Sequence, residues 1–371
     1  MRGERPRSRW EGHVRVGERA LDRCRRHWPV GAALRRLQPG QTEHARRRLE
    51  RNVCDDERRP ARNCDLRSHG CVAPQVFSVG AWRASATRRS DTSGGTASVT
   101  ATAERRRGDD YVVTQDELER FRRDGYVHLR GVMSESEMKV IDDAYEAFLQ
   151  RRIHVEGRDF NDMTTGEFGT DPAAYAIVNV MLPRKYLPSL QGNLFERRAA
   201  SIARQLCGDG MVIDFDQLLA KQPYRDDAVF AWHQDQAYWI DTPDRRTATC
   251  WLAVDDSTIA NGCMQFLPGT QHEPVRPHRP LHGDREASHT LVTDLRPGEK
   301  TTPVEIVRGD ITVHCEGVLH GSGGNTSASR RRAYIVAFRS SDTVQEERRL
   351  GFTHSHNDAK DVKEAVDGLH A

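Results

Sequence analysis

Ala231-Trp-His-Gln-Asp-Gln-Ala-Tyr-Trp239 is the stretch from which the fold and the chemistry of this chain can be read outward. The run entering it, Val229-Phe-Ala-Trp-His233, is apolar and rich in β-formers, and it predicts a strand over 229–235. Residues two apart on a strand share a face, so the His233 imidazole and the Asp235 carboxylate project side by side. Two such donors suit a metal ion, and a third is needed. His320, in Val318-Leu-His-Gly-Ser-Gly-Gly-Asn325, is the best candidate. His314, in Ile311-Thr-Val-His-Cys315, is its rival, since it lies opposite in face to Ile311, Val313 and Cys315. Trp232, Tyr238 and Trp239 flank the first pair and would wall it with aromatic rings.

The strand signal continues on both sides. Met211, Ile213, Phe215 and Leu219 alternate with Asp214 and Asp216, and further short strands fit 247–254, 263–267, 289–294, 303–307, 311–315 and 331–339. Pro268-Gly269, Pro297-Gly298, Gly309-Asp310 and the run Gly321 to Asn325 punctuate them as turns. Many short strands so divided predict a mainly β sandwich or jelly roll with flanking helices. The helices lie mostly ahead of it. Thr114-Gln-Asp-Glu117 is a capping box for a helix with Leu118 and Phe121 inward and Gly125 as its stop. Tyr126–Arg130 reads as a strand, and Ser134-Glu-Ser-Glu137 opens a second helix bearing Met138, Ile141, Tyr145, Phe148 and Leu149. Asn193 with Glu196 starts a third, ended at Gly208. Residues 152–190 show little periodicity and are expected to be irregular, as a loop or lid over a pocket.

Composition divides the chain of 371 residues in two. Residues 1–110 hold 25 Arg, no Lys and 14 acidic residues, net +11, while the remainder holds 31 basic and 40 acidic residues, net −9. An acidic body argues against general nucleic-acid binding. The Arg-rich segment is poor in aliphatics and is expected to be disordered, or to come from a mis-set start in GC-rich sequence. Trp10, Trp28 and Trp82 stand against that expectation. The predicted division is therefore 1–110, a catalytic domain over 111–345, and a polar C-terminal tail over 346–371 with one short helix at Asp361 to Val366. None of the eight Cys forms a CxxC pair, and Cys207, Cys250, Cys263 and Cys315 read as buried thiols of a reducing cytoplasm. No apolar run approaches the roughly 20 residues of a membrane span, and no secretory signal is visible. Gly-rich nucleotide-binding loops are absent from the sequence.

Three blocks in fixed order carry a resemblance: Trp232-His-Gln-Asp-Gln-Ala-Tyr-Trp239, Asn261-Gly-Cys-Met-Gln-Phe-Leu-Pro-Gly269, and His320 followed by Arg331. Together they resemble the phytanoyl-CoA dioxygenase family, which includes ectoine hydroxylase, over residues 111–345. The resemblance implies a double-stranded β-helix of the cupin type. It implies Fe(II) held by His233, Asp235 and His320, an arrangement of two imidazoles and one carboxylate that leaves the opposite positions open. It also implies 2-oxoglutarate and O2 as co-substrates, with release of succinate and CO2.

Arg331 is expected to hold the far carboxylate of 2-oxoglutarate. His320 ends one strand, the following turn reverses the chain, and the next strand carries Arg331 back alongside. A guanidinium forks onto a carboxylate. Arg330 and Arg332 should face outward by alternation. By the resemblance, Lys221 and Trp251 are further co-substrate contacts. His272, His278, His282 and His289 sit in a Pro- and Arg-rich stretch that reads as a solvated loop, and Asn261-Gly262 as turn chemistry. The expected activity is hydroxylation of an unactivated C–H bond of a small molecule, with a desaturase, a cyclase or a cupin-like metal-binding protein without turnover as alternatives. Asp235 supplies the carboxylate that related halogenases lack, so oxygen rather than halogen is expected in the product. Neither the substrate nor the oligomeric state is legible in the sequence.

Overall fold

The computed structural model describes residues 104–281, 283 and 290–358. In chain order its strands are β1 Arg106–Arg107, β2 Asp110–Tyr111, β3 Tyr126–Leu129, β4 Phe160–Asp162, β5 Ile177–Met181, β6 Met211–Lys221, β7 Phe230–His233, β8 Thr247–Ala253, β9 Met264–Leu267, β10 Arg279–Pro280, β11 Leu291–Val292, β12 Thr302–Val304, β13 Ile311–His314, β14 Leu319–Ser322 and β15 Arg331–Ser340. The helices are α1 Gln115–Asp124, α2 Lys139–Leu149, α3 Pro183–Tyr186, α4 Leu194–Cys207 and α5 Ser341–Arg349.

Among the described residues a large sheet runs β3-β13-β8-β15-β6-β5-β4 and a small one runs β12-β9-β14-β7. Every ladder within them is antiparallel. The two sheets face one another as a double-stranded β-helix, with Trp251 and Ile335 of the large sheet packed with Met264 and Phe266 of the small one.

Strand alternation sets which side chains see which layer. On the outer face of the large sheet, Leu218, Ala220, Cys250, Leu252, Tyr334, Val336 and Phe338 pack against Tyr145 and Phe148 of α2 and Phe195 and Ile202 of α4. The intervening residues Leu219, Trp251, Ala253, Ala333 and Ile335 face inward. Both faces are therefore buried, which is why β8, Thr247-Ala-Thr-Cys-Trp-Leu-Ala253, is buried at all seven positions.

The helices begin where their caps place them. Thr114 Oγ1 accepts the Glu117 N–H at 3.3 Å while the Glu117 carboxylate accepts the Thr114 N–H at 2.9 Å, and Gly125 closes α1 in the left-handed region. Asn193 Oδ1 caps α4 through the Glu196 N–H. The Ser134–Glu137 box caps only a short 3-10 turn, and α2 starts afterwards at Lys139. From α2, the Tyr145 hydroxyl donates to the Leu219 carbonyl at 2.8 Å and accepts the Ala333 N–H at 3.1 Å, clamping β6 to β15.

Three differences from the sequence expectations have physical causes. Residues 152–190 are not irregular throughout, because β4 and β5 extend the large sheet beyond β6. Ile177-Val-Asn-Val-Met181 is buried at every position, so it shows no alternation to detect. Second, structure begins ahead of Tyr111: β1 pairs with β2, and the Arg105 guanidinium lies 4.5 Å from the Tyr111 ring centroid. Third, the stretch beyond 346 packs as far as 358: Ser355 Oγ donates to Asp159, and His354 and Ser355 are buried. The expectations for residues 1–103 and for a helix at 361–366 fall outside the described residues. Cys250 and Cys263 are buried, Cys207 and Cys315 half-buried, and all four are free thiols. No helix among the described residues is long and apolar enough to cross a membrane.

Tyr111 is fully buried and donates its hydroxyl to the Arg130 carbonyl at 2.7 Å. A chain beginning at Glu104 is expected to match the full chain in thermal denaturation. One beginning at Val112 loses that ring and should be less stable by about 3–5 kcal/mol. Equal midpoints for the two shortened chains would show that the hairpin contributes nothing to the folded body.

Candidate active site

A cavity opens between the sheets, and His233, Asp235 and His320 meet in its wall. Strand β7 ends at His233, whose cross-strand partner on β14 is His320. The two imidazole centroids are 4.2 Å apart. Asp235 does not lie on the strand as expected. It opens a 3-10 turn over Asp235–Tyr238, because the backbone donors here leave the ladder. The Gln234 N–H goes to His278 Nε2 at 3.1 Å and the Gln236 N–H to the Glu316 carbonyl at 3.1 Å. This bend swings the carboxylate in among the imidazoles. Asp235 Oδ1 lies 3.4 Å from His233 Nε2 and 3.7 Å from His320 Nε2. Its Oδ2 lies 3.4 Å from Nε2 of His314.

The donor atoms of His233, Asp235 and His320 lie within 4.8 Å of one another. Nδ1 of His233 contacts the Ala231 carbonyl at 2.8 Å, and Nδ1 of His320 the Val318 carbonyl at 3.0 Å. A carbonyl only accepts, so each ring carries its proton on Nδ1 and turns a bare Nε2 lone pair to the centre. Burial, then the neighbouring His233, pushes the His320 imidazole well below its ordinary value and keeps it neutral. Burial opposes ionisation of Asp235, but the surrounding imidazoles, His320 first, hold it well below the usual carboxylate range. Two neutral imidazoles and one carboxylate are the donor set a divalent transition metal takes.

Across the cavity stand Lys221, Trp251 and Arg331 of the large sheet. Arg331 is not carried back alongside His320, as the turn suggested. The chain crosses between sheets after β14, and β15 pairs with β6 and β8, so Arg331 is the register partner of Lys221. The Arg331 guanidinium lies 5.0 Å from the Trp251 ring centroid, and its Nε and Nη1 are buried with no hydrogen-bond partner. Burial pushes its pKa down to about 10, which leaves it charged at neutral pH. Arg332 turns the other way, onto Asp255 at 2.7 Å, and Arg330 Nε donates to Gln222. Lys221 Nζ donates to Ser322 Oγ at 2.7 Å and to the Gly323 carbonyl. Burial, then the Arg331 charge, holds Lys221 well below an ordinary lysine.

Several residues that the sequence left as background hold this geometry. His278, read there as part of a solvated loop, contacts the Arg276 carbonyl through Nδ1 at 2.6 Å, which leaves Nε2 to accept from Gln234. The Gln234 side chain donates to the Gly317 carbonyl and accepts the Arg276 N–H, so the residue between His233 and Asp235 is fixed from three directions. His272 is exposed beside Gln271, and His282 and His289 lie outside the described residues. On the far wall Gln217 Nε2 donates to Asn179 Oδ1 at 2.7 Å, and Asn179 Nδ2 donates to Asn161 Oδ1 at 2.8 Å. Asn161 Nδ2 in turn contacts His356 at 3.3 Å. Periodicity carries no signal for such a chain.

The family model for phytanoyl-CoA dioxygenase (PhyH) matches residues 121–333, more than half of the chain. The chain belongs to the phytanoyl-CoA dioxygenase family. Among curated relatives, a probable alpha-ketoglutarate-dependent hypophosphite dioxygenase of Stutzerimonas stutzeri is 28% identical over 167 residues, 43% of this chain and 56% of that protein. The chain thus spans little more than half the length of that relative. A 2-aminoethylphosphonate dioxygenase from an uncultured bacterium is 24% identical over 225 residues, 61% of this chain and 81% of that protein. EvdO2 from Micromonospora carbonacea var. aurantiaca, solved in complex with 2-oxoglutarate, superposes with a TM-score of 0.51 at 28% identity. It covers 62% of this chain and 91% of EvdO2.

The family's Asn-Gly block does more here than turn the chain. Gly262 has φ +81°, and a Cβ on it would lie 2.3 Å from the Gly323 carbonyl oxygen and 2.9 Å from Lys221 Nζ. Gly262→Ala is expected to cost about 1–3 kcal/mol through strain and displacement of the segment after β14. Thermal denaturation checks the stability and a 2-oxoglutarate titration the site. An unchanged midpoint and affinity would mean the segment moves aside freely.

Proposed function

We propose that this chain is an Fe(II)- and 2-oxoglutarate-dependent dioxygenase that hydroxylates an unactivated C–H bond of a small molecule. The balance is substrate, 2-oxoglutarate and O2 to hydroxylated product, succinate and CO2. The observation that carries the proposal is Arg331. A buried guanidinium with two nitrogens that find no protein acceptor faces the same cavity as His233, Asp235 and His320. A protein that only bound a metal would have no use for a buried cation opposite it, whereas a dicarboxylate co-substrate needs one.

His233, Asp235 and His320 would hold Fe(II), and Arg331 would take the distal carboxylate of 2-oxoglutarate in a forked pair. The metal would supply activation of O2 coupled to oxidative decarboxylation of 2-oxoglutarate. The protein's own part is placement and exclusion of water. Trp251 lies against the guanidinium and keeps its plane fixed. Lys221 ties the end of β14 to β6 beside Arg331. Ile177, Leu219, Phe230, Met264 and Ile335 make the remaining wall apolar, with Gln217 and Thr249 as polar points. That lining suits a small substrate with an apolar flank and few hydrogen-bonding groups.

Binding of 2-oxoglutarate to the anaerobic Fe(II) protein tests this without knowledge of the substrate. Loss of a buried charged partner costs roughly 2–5 kcal/mol, so Arg331→Gln is expected to weaken 2-oxoglutarate by about 30-fold or more. Iron affinity in the absence of 2-oxoglutarate should change little. Unchanged 2-oxoglutarate affinity in Arg331→Gln would remove this residue from the co-substrate site. Succinate release over a panel of small metabolites then identifies the substrate.

A further inference from the structure

The carboxylate of Asp235 divides its two oxygens. Oδ1 faces His233 and His320, while Oδ2 faces His314, which reaches in from β13 of the opposite sheet. His314 is at least as buried as the other two, and its ring centroid is 4.4 Å from that of His320. Three imidazoles therefore surround one carboxylate, and their distances to Asp235 alone do not separate ligand from neighbour.

The second nitrogen of each ring does. In His233 and His320, Nδ1 is turned to a backbone carbonyl, so the proton sits there and Nε2 is a free lone pair. In His314, Nδ1 is buried and has no hydrogen-bond partner. To ligate through Nε2, His314 would carry its proton on Nδ1, a buried donor with nothing to accept it. With the proton on Nε2 instead, the N–H has an anionic oxygen, Asp235 Oδ2, 3.4 Å from its nitrogen. The environment of the ring thus favours a donor over a ligand.

We propose that His314 is a positioning residue whose Nε2–H hydrogen bond to Oδ2 of Asp235 turns Oδ1 toward the metal and keeps the carboxylate monodentate. This rests on His233, Asp235 and His320 being the metal site. Its origin on the large sheet gives it a second effect. It ties the one carboxylate of the small-sheet triad to the sheet that bears Arg331, so metal and co-substrate geometry are set against the same frame.

Co(II) is the probe, titrated into the full-length metal-free protein and followed by its ligand-field absorption. Hydrogen-bond partners of metal ligands typically contribute about 10–100-fold to affinity. His314→Leu is expected to weaken Co(II) by that factor, and His314→Gln, which keeps an N–H near the same place, should recover most of it with unaltered ligand-field bands. His233→Ala and His320→Ala should each abolish binding. Thermal midpoints of the metal-free variants separate folding from binding, and His314→Phe replaces His314→Leu if the latter does not fold. Wild-type affinity in the apolar variant would overturn the positioning role. Weak binding with altered bands in His314→Gln would overturn it too, by making His314 a ligand. No Co(II) binding by the unaltered chain would overturn the metal site itself, and this role with it.

Discussion

A guanidinium buried without a protein anion is the constraint to which the rest of the molecule answers. Removing Arg331 from water is costly unless something opposite it restores the lost interactions. The Trp251 ring supplies part, but Nε and Nη1 stay unpartnered, and the register partner is another basic residue, Lys221, rather than an acid. The surroundings must hold this arrangement in place. Tyr145 clamps β6 to β15 at Leu219 and Ala333, two residues from Lys221 and Arg331, and helices α2 and α4 cover the other face of the same strands. Arg332, one residue on, is satisfied in the opposite direction by Asp255 and Asp142. One strand therefore presents an ion-paired arginine outward and an unpaired one inward.

The two sheets divide the chemistry. Lys221, Trp251 and Arg331 belong to the large sheet; His233 and His320 are cross-strand partners on the small one, and Asp235 hangs from the end of its edge strand. Neither sheet holds a complete site. Packing of Trp251 and Ile335 against Met264 and Phe266 closes the sandwich, and the same packing brings the halves together at fixed distance. Preorganisation is here a property of the hydrophobic core between the sheets rather than of any loop.

The sequence exposed the parts of this arrangement that depend on local rules. The helix caps at Thr114 and Asn193, the family blocks and the inward phase of Arg331 follow from spacing, capping chemistry and alternation. What stayed hidden depends on tertiary partners. Strand β5 is buried on both faces and so carries no periodic signal. Asp235 was legible as a neighbour of His233, but not as the first residue of a turn, because that turn is made by His278 and Glu316 from distant segments. The same holds for Arg331, whose strand could be foreseen but whose sheet could not. A reversal of the chain looks identical in sequence whether it returns to the same sheet or crosses to the other.

The chain of amides from Gln217 through Asn179 and Asn161 to His356 gives the cavity a wall whose outer end is the C-terminal segment. Each amide has one donor side and one acceptor side, so the chain has a polarity, and reversing one member reverses the others. Which group Gln217 shows to the cavity, carbonyl or amine, is thus decided partly at His356, a residue that does not line it. The hydrogen-bonding character of the pocket can therefore be rewritten from the tail of the protein, with every lining side chain left as it is.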